Sequence, residues 1–212
     1  MFQAFLLSVL LLFAVLLVFR WVPIPTSSFM QQQEHKISYQ WVSWDEISPH
    51  LALAVLSSED QRFPNHWGVD TIELKKALST KGKPIRRGAS TITQQVAKNL
   101  FLWTSKSYTR KGIEAVLAIA LELTWPKQRI LEVYLNVAQF GNGIFGAEEA
   151  SKAFFDKPAK QLNKEESALL ASVLPRPAVS NVNDPKPKLI KKQQWVLKQM
   201  KQLGGINYLN KL

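Results

Sequence analysis

Residues 2–19 carry no charge, and Gln3 and Ser8 are their only polar side chains. An apolar run of that length predicts a helix able to cross a hydrocarbon core. Trp21 follows where interfacial aromatics sit. Pro23, Pro25 and residues 26–33 read as a polar linker, 23–36 in all. Residues 37–44 have the β-branched and aromatic content of a strand, after which Ser43 or Asp45 starts a helix. From there the apolar period is helical. Helices are predicted over 51–58, 71–79, 90–100, 110–124, 127–138, 147–155 and 164–173. Asp70 caps the second, with Glu73 closing a capping box. Ser90 caps the third and Asn163 the last, which Pro175 and Pro177 stop. The strongest is 110–124, where Ile113, Val116, Leu117, Ala120 and Leu121 share a stripe and Glu114 lies near its edge. Gly141, Gly143 and Gly146 mark a turn. No repeat and no strand–helix alternation is present, so the class is mainly α.

Charge adds a partner to this picture. The 212 residues hold 27 Lys and Arg against 16 Asp and Glu, a net charge of +11. That balance implies an anionic partner. There is no cysteine, which excludes disulfides, thiolate metal sites and cysteine nucleophiles. The long apolar start, with no basic residue before it and no A-x-A after it, favours an uncleaved anchor over a signal peptide. Arg20, behind the run, gives a charge bias that would argue against an exported domain. The tail, 185–212, has seven Lys and no acid, interleaved with Leu189, Ile190, Trp195, Val196 and Met200. It suits a helix lying on an anionic membrane as well as one packed on the domain with a solvated basic face.

The candidate chemistry starts at Glu59 and Asp60, two carboxylates behind the apolar residues Leu51, Leu53, Val55 and Leu56. A solvated helix-end Glu is the plain reading. A carboxylate pushed into a cleft is the functional one, because desolvating it is costly unless a site uses it. Glu114 is a second carboxylate on another helix. Residues 88–91, Gly-Ala-Ser-Thr, offer backbone N–H groups to a phosphate at a helix start, though such a start is usually only a cap. Lys98, Lys106, Arg110 and Lys111 place positive charge between the two carboxylates in sequence. Residues 80–89, with two glycines, one proline and four basic residues, read as a charged surface loop: a plain linker or a lid. Paired carboxylates suggest glycosyl chemistry, and the cradle suggests a phosphate or diphosphate leaving group.

At these residues the chain resembles the peptidoglycan glycosyltransferases, most closely the monofunctional branch of that family. The motifs stand here as EDQRFPNHWGVD from Glu59, GASTITQQ from Gly88 with Lys98-Asn99, RKGIE from Arg110, ILEVYLN from Ile130 running to Gly141 and Gly146, and ALLA from Ala168 with Leu174-Pro175. They occur in order over most of the chain behind the apolar run. The resemblance implies a lysozyme-like domain over 37–184 with a small membrane-proximal lobe, an anchor over 1–22, and the basic helix 185–212 beside or within the domain. It implies polymerisation of lipid II into β-1,4-linked glycan with release of polyprenyl diphosphate, on the outer side of a bacterial inner membrane. Lipid II, the growing strand, the membrane and other wall-synthesis or division proteins are the implied partners, with no nucleic acid. Glu59 resembles the general base and Glu114 the second essential carboxylate, a candidate holder of Mg or Mn. No organic cofactor is implied. Asp60, Phe63, Gly88, Ser90, Thr93, Gln94, Lys98, Lys106, Arg110 and Lys111 resemble the substrate-binding set, with Phe63 and His66 equally open to structural roles. Glu132, Tyr134 and Asn136 resemble residues that hold the fourth motif together. No Ser-x-x-Lys is present, so peptide crosslinking is not expected. A peptidoglycan-cleaving enzyme or a wall-polymer binder are the alternatives.

Overall fold

A computed structural model of the chain describes residues 2–79, 90–105 and 107–212. The expected loop 80–89, with Gly88, and Lys106 lie outside the described residues. The protein is mainly helical. Helix α1 is Phe2–Phe19. Its 18 residues measure about 27 Å at 1.5 Å each, against a hydrocarbon core of roughly 30 Å. No helix among the described residues is long and apolar enough by itself to cross a membrane. The C-terminal end of α1 is built into the domain. Leu16 is fully buried, and its carbonyl accepts from Trp125 Nε1 at 2.6 Å. Arg129 Nη2 donates to the Phe19 and Val22 carbonyls at 2.8 and 2.6 Å, satisfying acceptors that a helix end leaves open.

The segment expected as a polar linker is packed as well. A short helix α2, Ser28–Gln31, is capped by Ser27 and buries Met30, and Ile24 joins the core. The strand expected over 37–44 shrinks to β1, Ser38–Tyr39. Beyond it the backbone bonds to side chains instead of a ladder. Val42 N–H donates to Asn136 Oδ1 at 2.9 Å and Trp44 N–H to Glu132 Oε1 at 3.0 Å. These contacts give Glu132 and Asn136 a structural role. Ser43 then starts only a 3₁₀ turn, Trp44–Glu46.

Helix α3, Pro49–Glu59, begins with Ser48 as cap and Pro at its first turn. Every residue from Leu51 to Ser57 is buried, as befits a helix surrounded by others. Helix α4, Thr71–Ser79, follows, capped as expected by Asp70, whose Oδ1 accepts from the Ile72 and Glu73 amides. Helix α5 is Ile92–Phe101, and its cap is Thr91 rather than Ser90, closed into a capping box by Gln94. Helix α6, Tyr108–Thr124, starts two residues earlier than expected, capped by Ser107. Its buried face is Arg110, Glu114, Leu117, Ala118, Ala120, Leu121 and Thr124. The stripe read from the sequence is therefore split: Ile113 and Val116 point outward. Helix α7 is Lys127–Val137. Strands β2, Gln139–Gly141, and β3, Ile144–Phe145, complete a small sheet in the order β1-β3-β2, with β1 parallel and β2 antiparallel to β3.

Gly146, at φ +85°, brings its Cα so close to the Asn136 carbonyl that a Cβ would meet it at 2.6 Å, and it leads into α8, Ala147–Phe155. Helix α9, Lys164–Val173, has the expected Asn163 cap in a capping box with Glu166. Helix α10, Pro187–Gln202, packs against α9 and α3. Val196, Met200 and Tyr208 lie in the core. The apolar side of the basic tail is thus packed on the domain. Helices α3, α9 and α10 form one packed group and α5, α6 and α7 another. The end of α3 reaches across to the start of α5, and this junction carries the candidate chemistry.

Candidate active site

A cleft of about 360 Å³ opens at this junction, lined by Glu59, Asp60, Arg62, Asp70, Ser90 and Trp195 among others. Glu59 ends α3 half-buried. Its Oε2 accepts from Gln95 Nε2 at 3.1 Å and its Oε1 lies 3.2 Å from Ser58 Oγ. Asp60 lines the same cleft, but its carboxylate is committed. Oδ2 accepts from the Ile92 N–H at 3.0 Å and lies 3.0 Å from His66 Nε2. It thus holds the N-terminus of α5, where backbone N–H groups and the helix dipole favour negative charge. Phe63 is fully buried, edge-on to His66 and beneath the Lys127 ammonium. It supports the loop from inside and offers no face to a ligand.

The loop after α3 is held by a residue the sequence reading missed. Glu122, on α6, accepts from Gly68 N–H at 3.0 Å, Thr93 Oγ1 at 2.7 Å and Lys127 Nζ at 2.7 Å. Gly68 has φ +69°, and a Cβ there would meet the Ala118 backbone at 2.9 Å, so only glycine lets the loop lie on α6. Glu122 stands eight residues beyond Glu114 on the same helix. That spacing was the available signal. Thr93 is fully buried and Gln94 nearly so. Their side chains serve Glu122 and the α5 cap rather than the cleft wall. Asp70 likewise has local work. Burial pushes its carboxyl up, but the Glu73 and Ile72 amides and Arg62, at 3.0 Å, hold it below the ordinary value.

The second cluster sits at the start of α6. Glu114 is 2% exposed. Arg110 Nη1 donates to its Oε2 at 2.8 Å, and Lys111 Nζ pairs with its Oε1. Lys111 Nζ also donates to Ser90 Oγ at 2.7 Å, and Arg110 Nε to the Ser105 carbonyl at 2.7 Å. Lys98, on α5, has no such partner among the described residues. Its ammonium lies 5.2 Å over the Phe29 ring. Burial pushes its pKa down, and the nearby Arg110 and Lys111 add to this against the pull of Glu114 and Glu59. Lys98 is thus within electrostatic reach of both carboxylates. Both Glu114 oxygens face cations, and no three carboxylate or histidine side chains are grouped together among the described residues.

Helix α10, which the sequence reading left out of the site, brings one residue to the cleft and one charge near Glu59. Trp195 lines the cleft. Lys192 is half-buried, which lowers its pKa, while the Glu59 charge acts in the opposite sense. No local signal separates these two from the other residues of a basic amphipathic helix.

Comparison with known proteins identifies the family. A sequence model of the Transglycosylase family matches residues 26–201. The chain is 50% identical over 210 residues to a biosynthetic peptidoglycan transglycosylase of Mannheimia succiniciproducens, covering 94% of this chain and 86% of that protein. It is 51% identical over 212 residues to the protein of that name from Haemophilus influenzae, with the same coverage of each. Against the one from Yersinia pestis strain Pestoides F it is 48% identical over 208 residues, covering 92% and 86%. With the family model matched over residues 26–201 and relatives about half identical over almost the whole chain, the chain belongs to the transglycosylase family.

Proposed function

We propose that this chain polymerises lipid II into β-1,4-linked glycan strands of peptidoglycan. Glu59 takes the proton from the sugar 4-hydroxyl of an incoming lipid II. The freed oxygen attacks the anomeric carbon at the reducing end of the growing strand. The bond from that carbon to the diphosphate breaks with inversion, and its electron pair leaves on the polyprenyl diphosphate. Lys98, Lys111 and Arg110 face the developing negative charge, where preorganised cations are worth most. Glu114 acts through these cations, holding Arg110 and Lys111 in place. Trp195 gives the cleft an aromatic face for a sugar ring. The observation that carries this reading is the position of Lys98. It is a desolvated ammonium without a carboxylate partner among the described residues, and the charges of both Glu59 and Glu114 act on it. An anion arriving beside it restores the charge that burial disfavours.

The mainly helical arrangement, with a buried central helix ending at a cleft glutamate, supports a lysozyme-like fold. The outward face of α6 and helix α1 support a membrane site. Ile113, Val116, Ile119 and Leu123 are exposed along α6, as are Leu6, Leu7, Leu10 and Leu17 along α1, and the two helices pack together. Arg20 stacks on the exposed Trp21 ring at 5.1 Å, a pairing suited to a lipid headgroup boundary. With that polar end at the interface, α1 enters the bilayer and the cleft faces outward. Incubating the purified protein with lipid II tests the reading. The expected products are glycan polymer and polyprenyl diphosphate, and Glu59→Gln abolishes both. Cleavage of finished glycan with no use of lipid II overturns it.

A further inference from the structure

The fourth motif contains a buried group that this mechanism does not yet use. Tyr134, on α7, is 1% exposed and cannot touch a substrate. Its hydroxyl donates to Gln95 Oε1 at 3.2 Å, and Gln95 Nε2 donates to Glu59 Oε2 at 3.1 Å. The three groups form a chain with one direction, from O–H to C=O and from N–H to carboxylate. Turning the Gln95 amide over would set its oxygen against the Glu59 carboxylate. It would also face its NH₂ to the Tyr134 hydroxyl, whose proton would then lose its acceptor. Both ends of the chain therefore select the same amide orientation.

We propose that Tyr134 is a positioning residue that aims the Glu59 carboxylate by locking the side-chain amide of Gln95. With Oε2 occupied by Gln95, the other carboxylate oxygen is left for the acceptor hydroxyl. Ser58 Oγ lies 3.2 Å from that Oε1 but equally 3.2 Å from the Ala171 carbonyl. One hydroxyl proton serves only one of them, so Ser58 can release Oε1 without losing its own partner. Burial raises the Tyr134 pKa well above its ordinary value, and the charges of Glu59 and Asp60 act in the same direction, so the hydroxyl stays a donor. The lock is formed across three helices. Glu59 ends α3, Gln95 lies one turn into α5 and Tyr134 lies about two turns into α7.

This inference rests on the reading of Glu59 as the base, and a double-mutant cycle separates the two. Lipid II turnover is measured for the full chain and for Tyr134→Phe, Gln95→Met and the double variant, each checked by thermal unfolding. Tyr134→Phe removes one hydroxyl and keeps the ring, and Met keeps the length of Gln without its donor. Misplacing a reacting group by about 1 Å can cost 10²-fold. The expected result is a kcat lowered roughly 10- to 100-fold in each single variant, with KM unchanged. The double variant should be no slower than Gln95→Met alone, because the tyrosine acts only through the glutamine. Additive losses, a rise in KM, or full turnover in either single variant overturns the proposal while leaving Glu59 as the base. So does a Tyr134→Phe protein that fails to fold, since a hydroxyl that only aims Gln95 is dispensable to the fold. An unmodified protein that does not use lipid II at all overturns both.

Discussion

Replacing Glu114 with Gln removes a charge, nearly keeps the shape and should lower stability by an amount the ion pairs set. Arg110 and Glu114 are paired at 2.8 Å with side chains 11% and 3% exposed. Breaking a buried pair from one side costs about 3–5 kcal/mol, because a charge is left without its counter-ion. Lys111 adds little, since its side chain is 43% exposed and water screens it. Gln retains one acceptor for Arg110, which places the loss near the lower end, about 3 kcal/mol. For a domain of this size 1 kcal/mol moves Tm by roughly 2–4 °C, so a fall of about 6–12 °C is expected. The freed cations should then bind an added anion more tightly than in the parent protein. Saturating inorganic diphosphate, at about 100 times its Kd, should return roughly 2.7 kcal/mol, most of what was lost. Thermal unfolding of both proteins, with and without diphosphate, is the assay. A fall of less than about 2 °C would show that Glu114 is not the counter-ion of Arg110. Diphosphate protecting the parent protein as much as the variant would show that these cations are not where the leaving group binds. The variant should also turn over lipid II slowly and be inhibited by diphosphate at lower concentration.

The same contacts fix four further outcomes. Lys98→Met should abolish polymerisation yet raise Tm at neutral pH. Burial holds the Lys98 pKa below its ordinary value, so the folded state disfavours its charged form relative to the unfolded chain. As pH rises from the depressed folded pKa toward 10.5, the unfolded chain binds more protons than the native one. Parent stability therefore rises across that window and the advantage of the variant shrinks; an advantage that stays constant up to the ordinary lysine pKa would refute the cause. Trp195→Ala should raise KM for lipid II about 2- to 10-fold, the range of an aromatic contact worth about 0.5–1.5 kcal/mol, with a smaller change in kcat. Removing residues 1–22 should destabilise the domain even in detergent, because Trp125 and Arg129 lose the Leu16, Phe19 and Val22 carbonyls; an unchanged Tm would show those contacts to be dispensable. Leu53→Ala, in the middle of α3, should cost about 2–5 kcal/mol, read by urea unfolding, and a loss under about 1 kcal/mol would mean that the cavity collapses.

Much of this protein is legible from the residues alone, and the legible part is local. A cap needs only a side chain two or three residues from the amide it serves, so Asp70 and Asn163 can be read directly. The helical period places α7, α8 and α9 within a residue of their observed ends. The motif order points to the family. Where sequence and structure differ, a competing partner lies far away in the chain. Ser90 has the residue type of a helix cap, but its hydroxyl accepts from Lys111, and Thr91 caps α5 in its place. Residues 42–44 look like a strand, but Asn136 and Glu132 take their amides. On α6 both faces are apolar, so period alone does not say which one the core takes. The core takes the face carrying Arg110 and Glu114, because each neutralises the other there, and leaves Ile113 and Val116 outside. Tertiary structure alone decides which side chains surround Glu59. Gln95 is 36 residues away from it, and Tyr134, Trp195 and Lys192 arrive from helices packed later in the chain. Apolar period and caps act over one or two helical turns, whereas hydrogen bonds and charge pairs between helices exist only once packing has brought those helices together.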